Sequence, residues 1–84
     1  MFSIKFSNQP KKFLKKSDKK VTMRIIEKIE LLEYRPVIHD SKKIIGEIGA
    51  FRIRIGDYRV LYEVDWNNKI ILIDKIDKRS RAYD

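Results

Sequence analysis

Phe2, Ile4 and Phe6 alternate with Ser3 and Lys5, the period of a strand with one buried side. Ser7 or Asn8 can then cap a helix that carries Pro10 in its first turn, where the missing N–H costs little. That helix is short and ends near Lys16, and Ser17 or Asp18 is the cap of the next one. In this longer helix Val21, Ile25, Ile29 and Leu32 form the apolar stripe, flanked by Ile26, with Glu27, Glu30 and Glu33 outside it. Pro36 is its expected stop. From residue 44 the period changes, and Ala50–Ile55, Tyr58–Asp65 and residues 69–77 read as strands rich in Ile, Val, Tyr and Phe. Gly56 and Asp57 fit a two-residue hairpin loop, and Asn67 and Asn68 a second tight turn. The expected fold class is α+β: an N-terminal strand, an antiparallel helical hairpin, then a three-stranded antiparallel meander. The strands form one antiparallel sheet with the helices on one face. No linker, repeat or low-complexity tract interrupts the chain, so residues 1–84 are expected to form a single domain.

A two-residue loop fixes the register of the first hairpin. Ile55 opposes Tyr58, Arg54 opposes Arg59, Ile53 opposes Val60 and Phe51 opposes Tyr62. Phe51, Ile53, Ile55, Tyr58, Val60, Tyr62 and Val64 then share a core face. Arg52, Arg54 and Arg59 share the other, beside Leu61. Like charges directly across a strand pair are destabilising, by up to about 1 kcal/mol. Folding does not require three arginines within two rungs, whereas their planar forks match phosphate oxygens. Neutralisation by Glu63, Asp65 or Asp74 in a surface ladder is the alternative.

Composition narrows the chemistry. Eighty-four residues bury only roughly 60–65% of their unfolded surface. Cysteine is absent and histidine occurs once, which excludes disulfides, thiolate nucleophiles, Cys-based zinc sites and a two-histidine ribonuclease centre. No apolar run approaches the roughly 20 residues of a membrane span. The N-terminus shows no charged-then-apolar leader pattern, and a cytoplasmic location without membrane partners is expected.

Twenty Lys and Arg against twelve Asp and Glu leave a net charge of +8, which suits a polyanionic partner. The excess is uneven: eight basic residues and one acid lie between Lys5 and Arg24. Lys11, Lys12, Lys15 and Lys16 are candidate RNA or ribosome contacts, or simply a solvated helix face. At the C-terminus Lys78, Arg79 and Arg81 precede Tyr83, an aromatic beside cations that can stack a base while the backbone is held. His39 has no partner in the sequence to make it a general base. Trp66 suits packing at a hairpin end. Glu63 and Asp65 have the spacing of a metal pair, but their arginine-rich surroundings disfavour a divalent cation.

Three segments together resemble the RelE family of toxin–antitoxin toxins, within the RelE/ParE superfamily. They are GEIGAFRIRIGDYRVLYEVD at residues 46–65, the Lys43-x-x-Gly46 approach to it, and KRSRAY at residues 78–83. The resemblance implies a ribosome-dependent endoribonuclease, an mRNA interferase that cuts translated mRNA in the ribosomal A site without metal or other cofactor. It also implies a RelB-like antitoxin as partner, with a toxin–antitoxin heterotetramer among the assemblies expected. By position, Arg52 and Arg54 stand where the family has two basic strand residues, and Arg59 at the arginine that stabilises the scissile phosphate. Arg79 stands at the arginine that assists the leaving group, and Tyr83 at the aromatic that stacks on the substrate or orients its hydroxyl. Some relatives carry lysine at one of the two strand positions, and here both are arginine, a poor general base. Tyr83 under positive charge, or alignment by the ribosome alone, are the remaining routes to proton transfer. A ParE-like toxin acting on DNA gyrase and a non-catalytic RNA- or ribosome-binding module are the rival readings.

Overall fold

The computed structural model describes residues 1–78. Strand β1 (Ser3–Phe6) leads into helix α1 (Asn8–Lys16), helix α2 (Lys19–Glu30) and a 3₁₀ turn (Leu31–Glu33). A two-residue strand β2 (Lys42–Lys43) precedes the meander of β3 (Ala50–Ile55), β4 (Tyr58–Asp65) and β5 (Ile70–Lys78). The five strands form one sheet in the order β1-β5-β4-β3-β2. The sheet is mixed rather than wholly antiparallel, because β1 runs parallel to β5. The helical crossover between them makes that pairing accessible, since parallel neighbours need a long connection. β2 was not anticipated; two exposed lysines carry no periodic signal. Among the described residues no helix is long and apolar enough to cross a membrane.

The helix stops and starts follow from local hydrogen bonding. Ser17 closes α1 by returning both its N–H and its hydroxyl to the Phe13 carbonyl. Asp18 caps α2 by accepting the Val21 N–H at 2.9 Å. The α-helix ends at Glu30, well before Pro36, and Leu32 keeps its place in the buried stripe from within the 3₁₀ turn. Ser7 occupies the N-cap position of α1, but its hydroxyl donates across to the Ile73 and Asp74 carbonyls of β5 instead of capping. One residue into α1, Gln9 accepts the Ile76 N–H through its amide oxygen and donates its amide N–H to the Ile76 carbonyl. The side-chain amide thus extends the ladder past the last β1 residue, satisfying backbone groups that would otherwise lack a partner.

The β3–β4 register agrees with expectation at every rung from Phe51↔Tyr62 to Ile55↔Tyr58. The second turn is longer than two residues. Trp66 through Lys69 form it, with Asp65 accepting from the backbone and side chain of Asn68 and Lys69 in the left-handed region at φ 55°. Trp66 packs edge-on against Phe2, its ring centroid 5.5 Å away. β5 therefore starts at Ile70, and it contains a bulge. Leu61 pairs with Lys75 but Tyr62 pairs with Ile73, so Asp74 is an extra residue. The bulge lets Ile71, Ile73 and Ile76 all face the core despite their broken alternation.

That core lies between the helices and one sheet face: Ile25, Ile29 and Leu32 against Phe51, Ile53, Ile55, Val60, Tyr62, Val64, Ile71, Ile73 and Ile76. Tyr62 is fully buried, and its hydroxyl donates to the Pro36 carbonyl at 2.8 Å while lying 2.7 Å from the Ser41 hydroxyl. Ser41 in turn accepts the Ile38 N–H. This chain of bonds pins the loop after α2 to the sheet. Tyr62→Phe should therefore lower the unfolding free energy by about 1–2 kcal/mol by orphaning those partners, read as a lower urea midpoint at unchanged m-value.

Candidate RNA-binding face

Among the described residues no helix covers the opposite sheet face, and pleating sends every second strand residue there. Cross-strand pairing groups the side chains into rows. Lys42, Arg52, Leu61 and Lys75 form one row, and Arg54, Arg59 and Asp77 form the next. Ala50, Glu63 and Leu72 lie on the other side of the first row. The three arginines are thus on one face, as expected.

The neutralising partner of Arg59 is not any of the acids anticipated. Arg59 donates from Nη2 to Asp77 Oδ2 at 3.2 Å, directly across the β4–β5 pair, and Lys75 lies 3.8 Å from the same oxygen. Arg59 Nε and Asp77 Oδ1 are both buried and, among the described residues, without a hydrogen-bond partner. The pair is therefore aligned through one edge only. Asp77 offsets the repulsion between Arg54 and Arg59 and holds the Arg59 guanidinium against the sheet. Among the described residues no ion pair reaches Arg52, which is half-buried. Asp65 is committed to the Asn68 turn, and these hydrogen bonds draw its carboxyl below the ordinary range. It is not available as half of a metal pair with Glu63.

Two clefts adjoin on this face. One, of about 380 Å³, is lined by Lys43, Ile44, Ile45, Glu47, Arg52, Arg59 and Leu61. The other, of about 490 Å³, shares Ile44, Glu47 and Leu61 and adds Ile48, Ala50, Glu63, Asp74 and Lys75. The bulge turns Asp74 into the second cleft beside Glu63. Partial burial, the hydrogen bond from its carboxyl to Glu63, and the negative charges of Glu63 and Glu47 push Asp74 up to about 7. Sequence reading missed this acidic group because the bulge that assembles it has no signature in β5. Asp77 was missed for a related reason: the β4–β5 register could not be set through a turn of unknown length.

The remaining candidates divide by position. Lys11, Lys12, Lys15 and Lys16 are exposed on α1, whose Phe13 and Leu14 pack against the core side of the sheet. They belong to the helical layer, not to the arginine face. Lys78 ends β5 opposite Tyr58, also on the helix side. Arg79, Arg81 and Tyr83 lie outside the described residues. His39 is 93% exposed in its side chain, 3.7 Å from Asp40, and lines a third cleft with Lys42, Arg54 and Gly56. Asp40 is itself bound to Lys28 of α2, which draws its carboxyl down.

Comparison with known proteins agrees with this architecture. Residues 4–83 match the family model described as the ParE toxin of the type II toxin–antitoxin system parDE. The chain belongs to the RelE/ParE family of toxins. A Methanocaldococcus jannaschii protein named RelE1 is 34% identical over 85 residues, covering 98% of this chain and 94% of the relative. The archaeal RelE–RelB complex from Pyrococcus horikoshii contains a chain that superimposes with a TM-score of 0.80 at 34% identity, over 95% of this chain and 97% of that one. The intact RelBE toxin–antitoxin complex of E. coli shares the fold, with a TM-score of 0.84 at 19% identity over 96% of this chain and 100% of that one.

The Asp74 environment sets a pH test. The folded state holds this proton more tightly than the unfolded chain, whose carboxyl titrates near 3.8, so stability falls as pH rises from about 4 to about 7. Asp74→Asn should raise the melting temperature at pH 8, by the equivalent of about 1 kcal/mol after allowing for solvent screening. The gain should vanish below pH 4, as followed by thermal scans across that range.

Proposed function

We propose that this toxin is a ribosome-dependent endoribonuclease that cleaves translated mRNA in the ribosomal A site, without metal, and is neutralised by a RelB-like antitoxin. The observation that carries the reading is the convergence of Arg52, Arg54 and Arg59 on one sheet face, opposite the helical layer, with Arg59 held in place by Asp77. Attack of a 2′-hydroxyl on the adjacent phosphorus forms a pentacoordinate phosphorane with added negative charge. The step ends with a cyclic phosphate and a 5′-hydroxyl. Fixed guanidinium groups offset that charge without reorganising at the moment of reaction. In this reading Arg59 faces the scissile phosphate while Arg52 and Arg54 hold the strand on either side. Arg79 assists the leaving oxygen, and Tyr83 stacks on the base or orients the hydroxyl. Arginine does not supply a base, so the ribosome aligns the attacking hydroxyl and proximity provides much of the acceleration. The toxin relatives found in complex with RelB, one of them 34% identical, support the antitoxin part of the reading.

The matching family model is named for ParE, and that observation favours a second reading in which DNA gyrase is the target. One experiment separates them. Primer extension on a translated message should show new 5′ ends within codons when the wild-type chain is added. Arg59→Ala should lower their rate of appearance by about 10²- to 10³-fold. Arrest of growth with intact messages and inhibited supercoiling would instead establish the gyrase reading.

A further inference from the structure

The acidic cleft beside the arginines is unexplained by RNA cleavage. In a chain of net charge +8, Glu47, Glu63 and Asp74 gather on the very face that would hold a polyanion. Lys75 also lines the cleft, but three carboxylates against one ammonium disfavour a phosphate backbone there. Over the same cleft, Ile48 is 103% exposed in the loop between β2 and β3, and Ile45 of that loop, 98% exposed, lies over the neighbouring arginine cleft. Gly46 and Gly49, at φ 87° and 74°, shape that loop, and neither isoleucine contributes to the core. Ile48 makes with Ile44 and Leu61 an apolar wall that the described residues leave partly open. Apolar side chains beside a carboxylate group suit a protein segment carrying a cation, not a nucleic acid.

We infer that this cleft docks a segment of the antitoxin that places one Lys or Arg side chain between Glu63 and Asp74 and lays apolar side chains on Ile44, Ile48 and Leu61. The inference rests on the toxin–antitoxin reading above and assigns the antitoxin its place. The cleft shares Ile44, Glu47 and Leu61 with the one that holds Arg52 and Arg59, so a segment seated in the first also screens the second. Its charges would alternate in register with the sheet: acidic over Arg52 and Arg59, basic over Glu63 and Asp74. Such a pattern rejects partners with the opposite order, since like charges brought together at an interface cost several kcal/mol. An antitoxin that was merely acidic throughout would be repelled at the carboxylate pair, so this cleft is a determinant of cognate pairing.

The test uses the full chain and the small protein encoded by the reading frame adjoining its gene, with calorimetry for affinity and primer extension for activity. Glu63→Gln with Asp74→Asn keeps shape and hydrogen bonding but removes the charge; it should weaken binding at least about 30-fold at pH 8. Ile48→Ser changes a fully exposed position of the acidic cleft alone and should weaken it about fivefold. Both variants should cleave within twofold of wild type when the antitoxin is omitted. Unchanged affinity in both variants would overturn the inference, leaving the toxin reading intact. Impaired cleavage with unchanged antitoxin affinity would also overturn it, assigning the cleft to RNA. If the adjoining product neither binds nor neutralises the wild-type chain, the toxin–antitoxin reading fails and the docking inference falls with it.

Discussion

The two-residue loop at Gly56 and Asp57 is the constraint on which the rest of the molecule depends. With φ at 59°, Gly56 takes a left-handed conformation that L side chains resist, and the loop allows one register only between β3 and β4. Because successive strand residues point to opposite sides, that register decides two things together. It sends Phe51, Ile53, Val60 and Tyr62 to the helices, and it sends Arg52, Arg54 and Arg59 to the opposite face. A slip by one residue would bury guanidinium groups and expose the core. The hydrophobic effect that folds the protein is thus also the force that assembles its cationic face.

Holding three arginines together has an electrostatic cost, and the sheet meets it locally. Asp77 stands across from Arg59 on the far strand, and Lys75 shares its carboxylate. This leaves the arginine partly satisfied and oriented, which is the condition for a group that must later meet a phosphate. Two residues' breadth away, the carboxylates of Glu63 and Asp74 are drawn together by a bulge and lower their mutual repulsion by retaining a proton. The face therefore carries an arginine-rich side and a carboxylate-rich cleft, with Leu61 between them and Lys75 bordering both.

Much of this was legible in the sequence because it depended on short-range rules. Period-two alternation, a glycine-first loop and an amphipathic stripe were enough to place the core face and the three arginines. What escaped depended on contacts remote in sequence. The parallel pairing of β1 with β5, the bulge at Asp74 and the Arg59–Asp77 pair all join segments whose alignment hangs on the turn from Trp66 to Lys69. The shortness of β2 hid it altogether. The lysines of α1 looked, from composition, like part of one basic surface; the packing of Phe13 and Leu14 puts them on the other layer.

The union of β1 with β5, continued by Gln9 against Ile76, bears on how the chain comes to life during synthesis. Residues of β1 and Gln9 have their sheet neighbours among residues made some 67 positions later. Translation must pass β5 before the sheet can close, and pairings this remote are slow to form. A nascent copy consequently leaves β1 without its parallel neighbour until β5 emerges, and until then Asp77 has yet to arrive opposite Arg59. Topology alone delays the maturation of the arginine face until β5 has been made.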